Sequence, residues 1–115
     1  MSKLTRLFVY GSLAPGEKNH HQMDGMTGVW EPATIRGQLG ICEWGEYKGY
    51  PAIIPDPYGD EIKGQLFTSP DLPDHWKRLD IFEGEFYKRV DILVALPDKT
   101  QILSQIYRIL PPSRN

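Results

Sequence analysis

Only one stretch of the chain, residues 72–82, has the hydrophobic spacing of an amphipathic helix. Most of the remainder consists of short segments rich in β-branched and aromatic residues, separated by turns. Turn-forming residues are frequent, since the chain has eleven glycines and ten prolines. About six of these segments are predicted to be strands, over residues 4–10, 35–42, 53–54, 61–68, 90–96 and 101–110. A loop with one short helical turn near 19–26 is expected between the first two strands. The pattern predicts an α+β domain whose mostly antiparallel strands curl into a small barrel.

Length and charge narrow the possible functions. With 115 residues the chain fits a single domain, 1–115, that can support one hydrophobic core. The net charge of -2 argues against nucleic acid as a partner, because phosphate-binding domains usually have a basic surface.

One cysteine, Cys42, and three histidines do not suggest a disulfide or a structural zinc site. Since no signal peptide and no long apolar run is evident, we expect a cytoplasmic protein that does not bind a membrane.

Glu83 stands at the end of the predicted helix, on the side that should be buried. The apolar positions of the helix fall on one stripe at about 100° per residue, namely Leu72, Trp76 and Leu79. Glu83 continues that stripe. Suitable end residues flank the helix, with Asp71 as N-cap, Pro73 in the first turn and Gly84 as C-terminal stop. The pattern therefore predicts a carboxylate on the core side of the helix.

Two effects are expected to raise the pKa of the Glu83 carboxyl. Partial burial disfavours the ionised form, and so does the negative end of the helix dipole. A carboxyl with a pKa near neutral can take and return a proton at physiological pH. The alternative is an ordinary helix-end residue that pairs with Arg78, Lys88 or Arg89, and spacing alone leaves both interpretations open.

The turn Tyr10-Gly11-Ser12-Leu13 follows the first strand directly. Gly11 allows backbone conformations that other residues resist, so successive N–H groups of the turn can point at one anion. The turn is not a P-loop, because the later glycine and the Gly-Lys-Ser/Thr ending are absent. It also lacks the Gly-x-Ser-x-Gly pattern of a serine hydrolase. A carboxylate or an oxyanion is the expected ligand of such a turn.

Six short motifs occur in a fixed order along most of the chain. They are Tyr10-Gly11-Ser12-Leu13, Asn19-His20, Gly49-Tyr50-Pro51-Ala52, Ile62-Lys63-Gly64-Gln65-Leu66-Phe67, Leu79-Asp80-Ile81-Phe82-Glu83-Gly84 and Tyr87-Lys88-Arg89. Together they resemble the gamma-glutamylcyclotransferase-like superfamily, in particular its small gamma-glutamylamine cyclotransferase-type members. Two positions depart from the usual pattern: Gln65, where many relatives have Glu, and the doubled histidine of Asn19-His20-His21. Neither departure touches the two central motifs, so both bear on substrate choice more than on activity.

The resemblance implies a small β-barrel with flanking helices and a cyclotransferase activity. In that reaction a gamma-glutamyl group is cyclised to 5-oxoproline and an amine or amino acid is released, without a metal or another cofactor. Glu83 would be the general acid/base. The residues implied to bind the small-molecule gamma-glutamyl substrate are Tyr10, Gly11, Ser12, Leu13, Tyr50 and Tyr87.

Several alternatives stay open at this point. Arg89 suits either a substrate carboxylate or a pairing with a neighbouring strand, and we favour the structural role. His20 and His21 are expected to be solvated loop residues. The protein is alternatively a binding module that retains the pocket without turnover, or an enzyme that removes a gamma-glutamyl group from a biosynthetic intermediate. The leaving amine and the oligomeric state do not follow from the sequence.

Overall fold

Six strands and one α-helix make up the regular structure in the computed structural model, which describes residues 3–11, 13–17, 20–41, 49, 51–84 and 87–109. The strands are β1 (Arg6–Val9), β2 (Val29–Ile41), β3 (Pro51–Pro55), β4 (Asp60–Thr68), β5 (Tyr87–Ala95) and β6 (Gln101–Ile109). The helix is α1 (Trp76–Glu83), and short 3₁₀ turns occur at Lys3–Thr5, His20–Met23 and Leu72–Asp74.

Five of the strands close into a barrel in the order β2-β4-β1-β6-β5. Closure occurs where Thr34 of β2 pairs with Ala95 of β5. Strand β3 pairs with the end of β2 and extends the sheet beyond the barrel. All pairings are antiparallel except that of β1 with β6, which is parallel. The expected small and mostly antiparallel barrel is therefore confirmed, with one parallel pair.

The buried side chains form two layers. The first, called here the barrel core, consists of Phe8, Ala33, Ile35, Ile53, Ile62, Leu66, Ile92, Val94 and Ile106. The second, called the helix layer, lies between the barrel wall and α1 and consists of Leu7, Val9, Leu13, Met23, Phe67, Leu72, Trp76, Leu79 and Tyr107. Strand β1 supplies both layers, because alternate side chains of a strand point to opposite faces. Gly64 faces the barrel core, where an added Cβ would lie 2.5 Å from Phe8 Cζ.

The predicted helix is present, although it begins differently from the expectation. Residues 72–74 form a 3₁₀ turn, and the α-helical part begins only at Trp76. The expected side-chain cap by Asp71 is wrong: its carboxylate instead accepts a hydrogen bond of 2.9 Å from the backbone N–H of Thr27. Gly84 ends the helix with a φ of 81°, a conformation that favours glycine. The apolar stripe is buried as expected, whereas Asp74, Lys77 and Arg78 are exposed.

Strand β2 is much longer than its sequence suggested. It begins at Val29 rather than near residue 35, and Pro32 lies within it. Among the described pairings Pro32 has a partner on one side of the strand only, Gln65 of β4. The backbone N–H that proline lacks is therefore not needed on the other side. β1 is shorter than expected, since residues 3–5 form a 3₁₀ turn. The predictions for Cys42 and Leu110 fall outside the described residues.

Candidate active site

Glu83 is half-buried at the last position of α1. Within the described ranges its side chain makes no hydrogen bond and no ion pair. The pairing with a neighbouring cation is therefore wrong. Arg78 donates instead to the backbone carbonyls of Gln22 and Asp24, at 2.7 and 3.2 Å.

The pKa of the Glu83 carboxyl is raised to about 7. Burial is the larger cause, and the nearby carboxylate of Asp80 is the second. Burial was expected from the sequence, whereas the contribution of Asp80 was not. Both the protonated and the ionised form of Glu83 are thus available close to neutral pH.

The turn after β1 is held by contacts at both ends. Tyr10 donates its hydroxyl to the backbone carbonyl of Tyr107 at 2.8 Å. The carbonyl of Gly11 accepts a hydrogen bond of 3.0 Å from the N–H of Ala14, which closes the turn. Leu13 is buried in the helix layer. Ser12 lies outside the described residues.

His20 supports the same turn from the other side. Its Nδ1 donates to the carbonyl of Leu13 at 2.9 Å, and its ring centre lies 5.5 Å from that of Trp30. The expectation that His20 is a solvated loop residue is therefore wrong, because a half-buried ring with a fixed partner helps to shape the turn. His21 is exposed, as expected, and within the described ranges its ring hydrogen-bonds to the Gln22 side chain at 3.2 Å.

Tyr10, Tyr87 and Glu83 are brought together at one end of the barrel. The pKa of Tyr10 is raised by burial and then by its proximity to Tyr87 and Glu83, while backbone hydrogen bonding with Ile53 lowers it. The Tyr10 phenol therefore keeps its proton at physiological pH. Tyr50, the remaining expected substrate contact, lies outside the described residues.

A group of polar residues lies beside Glu83, of which sequence reasoning considered Arg89 but missed the roles of Asp80 and Tyr107. Asp80 accepts a hydrogen bond of 2.6 Å from the Tyr107 hydroxyl and pairs with Arg89, whose Nε lies 3.0 Å away. Arg89 also donates to Gln105 at 2.9 Å and lies 4.3 Å from the ring centre of Trp76. Asp80, Arg89 and Tyr107 are called here the Asp80 clamp. Arg89 has the structural role that we favoured.

A cleft of about 280 Å³ opens beside the Asp80 clamp. Its lining residues are Asp80, Tyr87, Lys88, Arg89 and Tyr107. Because Tyr87 borders the cleft and also lies near Tyr10, this space adjoins the end of the barrel where Glu83 is located.

The described ranges contain no group of three or more His, Cys, Asp or Glu side chains that could hold a metal ion. None of their helices combines the length and the hydropathy needed to cross a membrane.

Solved structures share this fold. The chain matches YkqA from Bacillus subtilis with a TM-score of 0.71 and 25% identity over 91% of its length, although it spans only 35% of YkqA. It matches the Arabidopsis thaliana protein At5g39720.1 with a TM-score of 0.71 and 26% identity, covering 95% of this chain and 70% of the other. An aig2-like protein from Mus musculus gives a TM-score of 0.72 at 20% identity, covering 95% of this chain and 79% of the other.

The sequence also assigns a family. The chain belongs to the gamma-glutamyl cyclotransferase, AIG2-like family, whose sequence model matches residues 7–115. No curated protein matches the chain. The superfamily expected from the motifs is therefore confirmed, and membership of this family supports a cyclotransferase-type function.

Proposed function

We propose that the protein is a gamma-glutamylcyclotransferase in which Glu83 is the general acid/base. The observation that carries this proposal is the half-buried Glu83 carboxyl, which has no partner within the described ranges and a pKa raised to about 7. A group of this kind near a glycine turn is suited to proton transfer on a small bound substrate. Membership of the cyclotransferase family supports the choice of reaction.

The nucleophile in this reaction belongs to the substrate. The free α-amine of the gamma-glutamyl group attacks its own γ-carbonyl carbon, which closes the ring of 5-oxoproline. The bond from that carbon to the leaving nitrogen then breaks. Ionised Glu83 takes the proton lost by the attacking nitrogen and returns it to the leaving nitrogen, so that protons and charge balance over one turnover. A pKa near 7 suits both halves of this cycle.

The protein's remaining task is to hold the substrate in a reactive loop. The backbone N–H groups of the 10–13 turn would bind the substrate α-carboxylate or the developing oxyanion. The Tyr10 hydroxyl donates to Tyr107, so its lone pairs are left to accept a hydrogen bond from the substrate amine. Correct orientation of two groups within one molecule can lower a barrier by about 7–11 kcal/mol. Positioning thus accounts for a large share of the proposed catalysis.

The direct test is formation of 5-oxoproline. The purified protein is incubated with gamma-glutamyl-lysine, gamma-glutamyl-alanine, glutathione and a simple gamma-glutamyl alkylamine, and the product is measured by mass spectrometry. We expect product from at least one of these substrates. Glu83→Gln should lower turnover roughly 100-fold or more, because the amide can neither accept nor return the proton.

A matched variant separates this effect from a general loss of charge. Glu61→Gln removes a carboxylate from the exposed surface of β4 and should leave turnover unchanged. Equal turnover in wild type and Glu83→Gln would rule out the proposed role of Glu83. A folded wild-type protein that forms no product from any of the four substrates would contradict the proposed activity, and binding of 5-oxoproline without turnover would instead favour a binding module.

A further inference from the structure

Asp80 connects the end of α1 to two strands at once. It lies one helical turn before Glu83, on the same helix. Its carboxylate accepts the Tyr107 hydroxyl of β6 at 2.6 Å and binds Arg89 of β5 through Nε at 3.0 Å and Nη2 at 3.4 Å. Hydrogen bonds to a charged group are shorter and stronger than neutral ones. The last turn of the helix is therefore fixed to the β5–β6 hairpin by polar contacts as well as by packing.

The partners of Asp80 are themselves held in place. Arg89 is bound by Gln105 and stacked on Trp76, whose indole Nε1 donates to the carbonyl of Leu4 at 2.9 Å. Gln105 in turn donates to Asp91, which also binds Lys3. A network of this kind has little freedom to rearrange, because each side chain has at least one further partner. The helix sets the spacing of Asp80 and Glu83, and the contacts with β5 and β6 fix the orientation of the Asp80 carboxylate.

We propose that Asp80 is a positioning residue for Glu83: the Asp80 clamp fixes the end of α1 on the barrel and sets the charge environment of the Glu83 carboxyl. Only the expected effect on turnover rests on the proposed function. The effect on the ionisation of Glu83 can be measured without substrate. The proposal assigns to Asp80 a direct electrostatic effect on Glu83, and to Arg89 the opposite effect, exerted by neutralising Asp80.

The groups around Glu83 make this assignment specific. Tyr10 at the end of β1, Tyr87 of β5 and Tyr107 of β6 are phenols, and the pKa values of Tyr10 and Tyr107 are raised. Tyr10 and Tyr107 are therefore neutral at physiological pH. Among the charged groups of the described residues, Asp80 is the one that acts on the Glu83 carboxyl, from one turn away on the same helix. Arg89 pairs with Asp80 and so offsets its charge. Lys88 and Asp80 are both exposed, so solvent screens their charges, but Lys88 lies on β5 rather than beside Glu83 on the helix.

Removing either charge should move the proton affinity of Glu83 in a defined direction. Asp80→Asn takes away an anion and leaves Arg89 unneutralised, so both changes favour ionised Glu83 and lower its pKa. Arg89→Gln takes away a cation and leaves Asp80 unneutralised, which favours the protonated form and raises the pKa of Glu83. If the clamp only held the helix end on the barrel, both variants would loosen that end and expose Glu83. The pKa of Glu83 would then fall in both variants.

The experiment is a carboxyl ¹³C NMR titration of Glu83 between about pH 4 and pH 9, a range chosen to span the usual and the shifted pKa of glutamate. Wild type, Asp80→Asn and Arg89→Gln are compared, with Asp74→Asn as a matched control because Asp74 is an exposed acid at the other end of the helical segment. We expect a decrease of about one unit in Asp80→Asn, an increase in Arg89→Gln and no change in the control. The acidic limb of the pH–rate profile should move in the same directions.

Two results would overturn the inference. One is a Glu83 pKa in Asp80→Asn equal to that of the wild type, and the other is a decrease in Arg89→Gln. If Asp80→Asn does not fold, the titration of Arg89→Gln still decides, because only the electrostatic role predicts an increase. A protein that forms no 5-oxoproline but shows both shifts would refute the proposed function and leave this inference intact.

Discussion

The barrel core and the helix layer are both well buried, yet they differ in chemistry. The side chains that define the barrel core are apolar and come from all six strands, although the fully buried Ser104 lies two residues before Ile106 in β6. The helix layer contains Trp76 and Tyr107, whose polar atoms bond to Leu4 and Asp80. Glu83 and Tyr10 lie where the two layers meet at the end of the barrel. The barrel core therefore provides stability, and the polar contacts of the helix layer allow titratable groups to be placed at its edge.

The largest effect should come from a cavity in the barrel core. Leu66→Ala removes a side chain that is fully buried among other apolar groups. We expect the free energy of unfolding to fall by about 2–5 kcal/mol, measured by urea denaturation. The KM of the folded fraction should be unchanged, since Leu66 does not line the cleft beside the Asp80 clamp.

Leu93→Ala is the matched control for this variant. Leu93 is 51% exposed on β5, so its truncation should change stability by no more than about 0.5 kcal/mol. A large change in KM in Leu66→Ala would contradict the division between a stabilising core and a functional edge.

The sequence indicated the buried face of the helix but not the make-up of the barrel core. The helical stripe placed Leu79 correctly inside the protein, because that period is a local property of the chain. The length of β2 was underestimated at its beginning, because Pro32 looks like a strand breaker unless the neighbouring strands are known.

A second prediction concerns the edge of the helix layer and follows from the raised pKa of Glu83. The carboxyl has a usual pKa of 4.5 when the chain is unfolded and about 7 when it is folded. Between these values the folded state binds more protons, so the free energy of unfolding decreases as pH rises. The stability associated with protonated Glu83 is complete below about pH 4.5 and is lost as pH rises through about 7.

This loss can be measured by denaturation at several pH values. Relative to Glu83→Gln, the wild type should become less stable by at most about 3 kcal/mol between acid and mildly alkaline pH. An identical pH dependence in both proteins would show that folding does not raise the pKa of Glu83. The difference between the two layers would then have no effect on this titratable group.

The smallest effect is expected at the turn that borders both layers. His20→Phe keeps a ring beside Trp30 but removes the donor to the Leu13 carbonyl. We expect a loss of about 1 kcal/mol in the free energy of unfolding. Hydrogen exchange at the Ala14 amide, which bonds to Gly11, should become faster.

His21→Phe serves as the matched control, since His21 is exposed and adjacent in sequence. If both histidine variants behave alike, the hydrogen bond from His20 does not support the turn.

The candidate site was only partly within reach of sequence reasoning. Glu83 stood out because a carboxylate continued an apolar stripe, which is a local signal. Asp80 gave no such signal, because it lies on the exposed side of the helix and its partner Tyr107 is 27 positions away. Contacts of that kind depend on how the barrel closes, and local periodicity does not encode them.

The parallel pairing of β1 with β6 has a consequence for the order in which this molecule folds. The hydrogen bond from Tyr10 to Tyr107 joins residues 97 positions apart, and the Arg6 guanidinium reaches the carbonyl of Leu103 over the same span. Closing so long a loop costs entropy before any of these contacts forms. During synthesis on the ribosome β1 is made long before β6, so the pairing of these two strands cannot form until β6 has been synthesised. The proposed catalytic end of the barrel is therefore assembled late, and a nascent chain that stops before β6 has no means of forming it.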